Sequence, residues 1–153
     1  MPSSVHKVNL PLSNEHLWEF VSKMNNWAPL VPGYMEHEIL NDRESTWKFK
    51  TDVGLLKKKI HLKVDILEWK EPTKVTFNLT GINEKFFGDG YFEAKRISNN
   101  ETEMIGCLTI EAEGTMGKMV NSILKNSLPD LTLELTNAVA NKILEINEVT
   151  TNK

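Results

Sequence analysis

One cysteine, Cys107, stands in a chain of 153 residues. An internal disulfide is excluded, and so is a zinc or iron–sulfur centre built on several thiolates. Long apolar runs are missing as well, since none approaches the roughly 20 residues that cross a bilayer. Met1 to Lys7 lacks the apolar stretch of a secretory signal, so a cytoplasmic protein with a reduced thiol is expected. Basic excess is absent. Against 21 acidic residues stand 18 Lys and Arg, a net charge of −3, which argues against nucleic acid as a partner. The four histidines, His6, His16, His37 and His61, show no paired metal-ligand spacing, and neither a metal nor a cofactor is expected. Gly88-Asp89-Gly90 is glycine-rich, but no Gly-Lys-Ser/Thr follows. A phosphate loop is therefore disfavoured, and the glycines are expected to supply a bulge or a special backbone angle.

What is present suits one domain, residues 1–153, with an ordered core over about 5–146. Val5 to Pro11 reads as a strand. Ser13 then reads as a helix N-cap, with Leu17, Phe20, Val21 and Met24 forming the buried stripe. Trp27-Ala28-Pro29-Leu30-Val31-Pro32-Gly33 cannot remain regularly helical, because it holds two prolines and a closing glycine. Alternating apolar and polar residues then mark successive strands around Trp47–Val53, Ile60–Ile66, Val75–Leu79, Tyr91–Lys95 and Met104–Ile110. Alternation of this kind implies an antiparallel meander with one dry face. From Met116 to about Ile146 the spacing changes to three and four, which predicts a helix of roughly 45 Å. Pro129 lies inside it, where a kink or two abutting helices are expected.

No residue cluster demands catalysis. Cys107 falls on the polar strand face among glutamates, an environment that raises a thiol pKa. His37, Tyr91 and Arg96 are the candidates for a polar pocket; the pattern leaves their facing open, because a one-residue slip inverts it. Lys57-Lys58-Lys59 is the densest basic patch. It reads either as a solvated strand edge or as a contact for anionic membrane headgroups. Met24, Met35, Met104, Met116 and Met119 are placed inward by pattern. Methionine suits an adaptable apolar lining.

Leu12-Ser13 before a helix containing Trp18, Val31-Pro32-Gly33 closing the second helical segment, Gly88-Asp89-Gly90, and Glu113-Gly114-Thr115-Met116-Gly117 leading into the last helix together carry a family likeness. In this order of elements the chain resembles the helix-grip fold of the START/Bet v 1-like (SRPBCC, polyketide cyclase-like) superfamily. Within that group it resembles the CoxG family, associated with carbon monoxide dehydrogenase. The resemblance implies an α+β fold: a curved antiparallel sheet of about seven strands around a long C-terminal helix, with two short helices after strand 1. It implies a cavity for a hydrophobic small molecule, such as a lipid, quinone or polyketide-like compound. The lining expected is Trp27, Met35, Trp47, Phe49, Leu62, Val64, Phe77, Leu79, Phe92, Met104, Leu108, Met119, Val120, Ile123 and Leu131. A molybdenum hydroxylase of the carbon monoxide dehydrogenase type is the implied partner, with transient membrane-surface contact through Lys57, Lys58 and Lys59. The alternatives are a cyclase or dehydratase using polar pocket residues, and a protein-interaction module with a filled interior.

Overall fold

A computed structural model describes residues 2–53, 56–83 and 85–151, the side chains of 51–53, 56–58 and 147–151 excepted. Strand β1 (Ser3–Leu10) leads into helix α1 (Asn14–Val21), helix α2 (Met24–Trp27) and a 3-10 turn (Ala28–Leu30). Strands β2 (Tyr34–Ile39), β3 (Glu44–Val53), β4 (Leu56–Lys70), β5 (Lys74–Gly81), β6 (Phe86–Ser98) and β7 (Glu101–Ala112) follow. Helix α3 (Gly117–Thr151) completes the sequence of elements. The strands form one antiparallel sheet in the order β1-β7-β6-β5-β4-β3-β2. The two edges, β1 and β2, are therefore joined by α1, α2 and the 3-10 turn, which must cross a face of the sheet. This is the expected helix-grip architecture.

Alternation decides which face is dry. Trp47 on β3, Leu62, Val64 and Ile66 on β4, Val75, Phe77 and Leu79 on β5, Phe92 on β6, and Met104 and Leu108 on β7 are all buried. Within each strand these residues are separated by even steps, so all point to the concave side. Buried Ser45 does not break this rule, because its hydroxyl accepts the Trp47 indole N–H at 2.8 Å and donates to the Met24 sulfur at 3.3 Å. Helix α1 seals the same face with Leu17, Trp18, Phe20 and Val21. Ser13 holds the N-cap position with extended backbone, but its hydroxyl pairs with His16 Nδ1 at 2.7 Å instead of a backbone amide.

Two expectations change. Gly88 and Gly90 supply neither a bulge nor a left-handed angle. Both lie inward, where a Cβ at Gly88 would fall 2.2 Å from the Thr109 carbonyl oxygen and one at Gly90 would fall 2.8 Å from the Phe77 ring. Close approach is their use; positive φ falls instead at Gly33 (79°) and Gly114 (87°), where the chain turns into β2 and toward α3. Pro129 does not divide the last helix, which runs through it as one element. Pro129 itself is exposed. Near it, Ser127 donates to the Ile123 carbonyl and Thr132 to the Leu128 carbonyl.

The course of α3 follows from two fixed points. Asn121 is hydrogen-bonded to the backbone of Ala112, and Thr136 lies against Gly106. Fifteen helical residues, about 22 Å, thus accompany six strand residues, about 20 Å. The helix runs back along β7, and it packs on β1 and β7, not over the middle of the sheet.

Candidate functional site

The middle of the concave face is filled by rings. Trp27, from α2, stands 5.2 Å from Trp47, 5.9 Å from Phe77 and 5.4 Å from Phe92, centroid to centroid. Its indole N–H donates to the Val21 carbonyl at 3.0 Å, so the one polar atom of this plug is satisfied. Of the expected lining, Trp27, Trp47, Leu62, Val64, Phe77, Leu79, Phe92, Met104 and Leu108 are sealed. A depression under α1, bordered by Leu17, Trp18, Val21, Phe92 and Met104, encloses only about 10 Å³, roughly the room for one water.

Closure is less complete at the end of the molecule where α3 begins. In the second half of α3, Leu128, Val139 and Ile143 are at most 1% exposed. In the first half, Val120, Ile123 and Leu124 are half-buried, while Met116 and Met119 are 56% and 41% exposed. Leu131, farther along, is half-buried too. The strand ends at this end show the same partial burial: Phe49 and Ile60, paired across β3 and β4, and Phe86 and Ile110 on β6 and β7. Leu30 and Val31 contribute from the 3-10 turn and the residue after it, and that turn touches α3. The result is an apolar basin with a sealed aromatic floor and a half-open rim. Met35 is not part of a sealed lining; it is 45% exposed at an irregularity in the edge strand. Of the five methionines placed inward by pattern, Met24 and Met104 are buried and Met35, Met116 and Met119 are not.

The three polar candidates do not come together. Tyr91 lies between inward-facing Gly90 and Phe92, pairs across strands with Cys107, and so stands on the convex face with the Lys74 ammonium 4.2 Å from its ring. Burial and the neighbouring Cys107 push its hydroxyl above the ordinary phenol value. Arg96 is exposed at the β6–β7 hairpin, bonded to the Asn99 side chain, at the end remote from the start of α3. His37 alone faces the concave side, sharing its register position with Trp47. Cys107 is half-buried, and burial first, then Asp89, raise its thiol. The expected glutamates are not the cause. Lys59 is exposed, whereas the side chains of Lys57 and Lys58 lie outside the described residues.

A residue that pattern reading missed completes a hydrogen-bonded chain with His37. Tyr34 Oη lies 2.6 Å from His37 Nδ1, and Asn25 Oδ1 of α2 lies 2.6 Å from His37 Nε2. Tyr34 and His37 are three apart, so regular alternation would set them on opposite faces. The irregularity between Tyr34 and Glu36 restores them to one face, Tyr34 opposite Phe49 and His37 opposite Trp47. Nothing in the local sequence announces that bulge.

Comparison with known proteins agrees with this architecture. No curated protein matches the chain in sequence. Similar solved structures include a conserved protein from Geobacillus kaustophilus (13% identity, TM-score 0.79, covering 94% of this chain and 95% of that one). A START superfamily protein from Mycobacterium smegmatis is similar at 14% identity and TM-score 0.71, over 94% of this chain and 98% of that one. An aromatase/cyclase from Streptomyces sp. R1128 is similar at 15% identity and TM-score 0.69, over 92% of each chain. At these identities the likeness establishes the fold. Among the described residues no helix is long and apolar enough to cross a membrane. A family model matches residues 1–146, nearly the whole chain, and this protein belongs to the START/Bet v 1-like, polyketide cyclase (SRPBCC) group.

Proposed function

We propose that this protein binds an apolar small molecule, of lipid, quinone or polyketide-like chemistry, in the basin between the sheet ends and the first half of α3. The observation that carries the proposal is the change of burial along one helix, from Leu128, Val139 and Ile143 at 1% exposure or less to Met119 at 41%. A helix that only completed a core would be sealed along its whole apolar stripe. A guest covering about 200 Å² of that rim would gain roughly 5 kcal/mol before the costs of association. The ring cluster under Trp27 closes the interior from below, so the guest occupies the rim and not the centre of the sheet.

Two tests apply. Native mass spectrometry of protein purified without detergent should reveal a bound apolar mass. Binding of the fluorescent probe anilinonaphthalene sulfonate should saturate and weaken at least about tenfold in Val120→Arg, with an unchanged Tm. Absence of both a bound mass and saturable probe binding would end the proposal.

The CoxG resemblance extends this reading to an accessory role beside a molybdenum hydroxylase, with transient contact to a membrane surface. Support for the surface contact is the exposure of Lys59, Lys85 and Lys118 at the end that carries Met116 and Met119. Flotation with vesicles rich in phosphatidylserine, lost at about 0.5 M salt, is the expected outcome, since headgroup attraction is screened. Protein that stays at the bottom of the gradient at low salt removes this contact.

A further inference from the structure

We infer that Asn25, His37 and Tyr34 form a hydroxyl-recognition site, in which the Tyr34 phenol oxygen accepts a hydrogen bond from a phenol or enol group on the apolar guest. The inference rests on the binding function proposed above and names the ligand chemistry. Asn25 sets the direction of the hydrogen-bonded chain. The amide oxygen of asparagine only accepts, and it lies 2.6 Å from His37 Nε2. That nitrogen must carry hydrogen. In the neutral ring Nδ1 is then a bare acceptor, and the hydroxyl 2.6 Å from it, that of Tyr34, must be the donor. The Tyr34 proton is committed to the histidine, and the oxygen is left with lone pairs for an incoming donor.

The surroundings select for an amphipathic guest. Tyr34 pairs across strands with Phe49, a rim residue of the basin, and His37 pairs with buried Trp47. Tyr34 and His37 are each half-buried, neither sealed in the core nor on open surface. A hydroxyl on an aromatic or enolic ring meets the oxygen while its ring lies on Phe49. A ketone in the same place would set two acceptors against each other, which costs binding. A network that only ties α2 to β2 would show no such preference.

The test compares naphthalene probes that share one ring system: 2-naphthol, 2-methylnaphthalene and 2-acetylnaphthalene, each competing with anilinonaphthalene sulfonate. Tyr34→Phe should weaken 2-naphthol by roughly 3- to 10-fold and leave 2-methylnaphthalene within about twofold. His37→Phe frees the Tyr34 proton, so it should strengthen 2-acetylnaphthalene by a similar factor. Nitrogen-15 spectra of the imidazole should show the hydrogen on Nε2 in the unmodified protein, a readout independent of variant stability. Equal effects of Tyr34→Phe on 2-naphthol and 2-methylnaphthalene, or a hydrogen on Nδ1, would overturn the inference while the binding function stands. Failure of all three probes to compete would overturn both.

Discussion

The Thr136 hydroxyl oxygen occupies the space that a side chain on Gly106 would need: a Cβ built there falls 2.3 Å from it. Both residues are buried, Gly106 at the centre of β7 and Thr136 on the inner face of α3. The missing side chain is what lets the helix backbone come down on the strand. Gly106→Ala should therefore destabilise by about 1–3 kcal/mol, the usual cost of overpacking a close contact. Thr136→Ala should recover much of that loss in the double variant. Chemical denaturation of the four proteins measures the coupling. Additive losses would mean that Gly106 is not held at this contact.

Much of this fold is legible in the sequence. Period-two runs such as Leu62–Val64–Ile66 and Val75–Phe77–Leu79 place the concave face correctly, because burial on one side of a strand is written directly into alternation. The long helix is legible for the same reason. Solidity of the interior is not: Trp27 sits in a proline-bounded segment without periodicity, and nothing local to it shows that three distant rings surround it. Nor is the Tyr34–His37 pairing, which depends on a bulge in an edge strand. The misplacement of Met119 has a different cause. Helical spacing marks a stripe as apolar, but says nothing about whether the sheet reaches far enough to cover it.

Asn121 clips the start of α3 to the end of β7. Its side-chain oxygen accepts the Ala112 N–H at 2.7 Å and its amide donates to the Ala112 carbonyl at 3.1 Å, two bonds that fasten helix to strand. Asn121→Ala should cost about 1–2 kcal/mol, one net hydrogen bond or two. It should also loosen probe binding more than its stability loss implies, because it frees the helix half that carries Val120 and Ile123. Thermal melts and probe titrations on the same preparation measure both effects. Lost stability with intact binding would place the guest elsewhere.

On the convex face, Cys107 and Tyr91 face each other across β7 and β6, and both are held in their neutral forms. Burial and Asp89 raise the thiol, while burial and the thiol raise the phenol. An acid whose folded pKa is raised keeps its proton in the native state after the unfolded chain has lost it. Stability is therefore full below the ordinary thiol value and falls as pH climbs through the ordinary and raised values. Melting temperature should decline in the alkaline range, and Tyr91→Phe should flatten the decline. Reaction of Cys107 with a disulfide reagent near pH 8 should be slower than that of a free thiol, and faster in Asp89→Asn. A rate equal to that of free cysteine would contradict a half-buried, protonated thiol.

Entry to the basin should occur after Trp27, not at it. The indole is fastened to Val21 and surrounded by Trp47, Phe77 and Phe92, so moving it would expose the whole ring cluster. Beyond it, Pro29 and Pro32 have no amide to donate. The stretch to Tyr34 is held by few backbone bonds: Val31 N to the Ala28 carbonyl at 3.2 Å, Tyr34 N to the Val31 carbonyl at 3.0 Å and Lys50 N to the Gly33 carbonyl at 2.8 Å. Local opening needs far less energy here than in β5 to β7, each paired on both sides. The amides of Leu30, Val31 and Gly33 should exchange at least about 100-fold faster than those of Phe77 and Phe92, and a bound guest should slow them selectively. If Leu30 and Val31 instead exchange as slowly as the central strands, guests must enter by another route, between the first turns of α3 and the ends of β6 and β7.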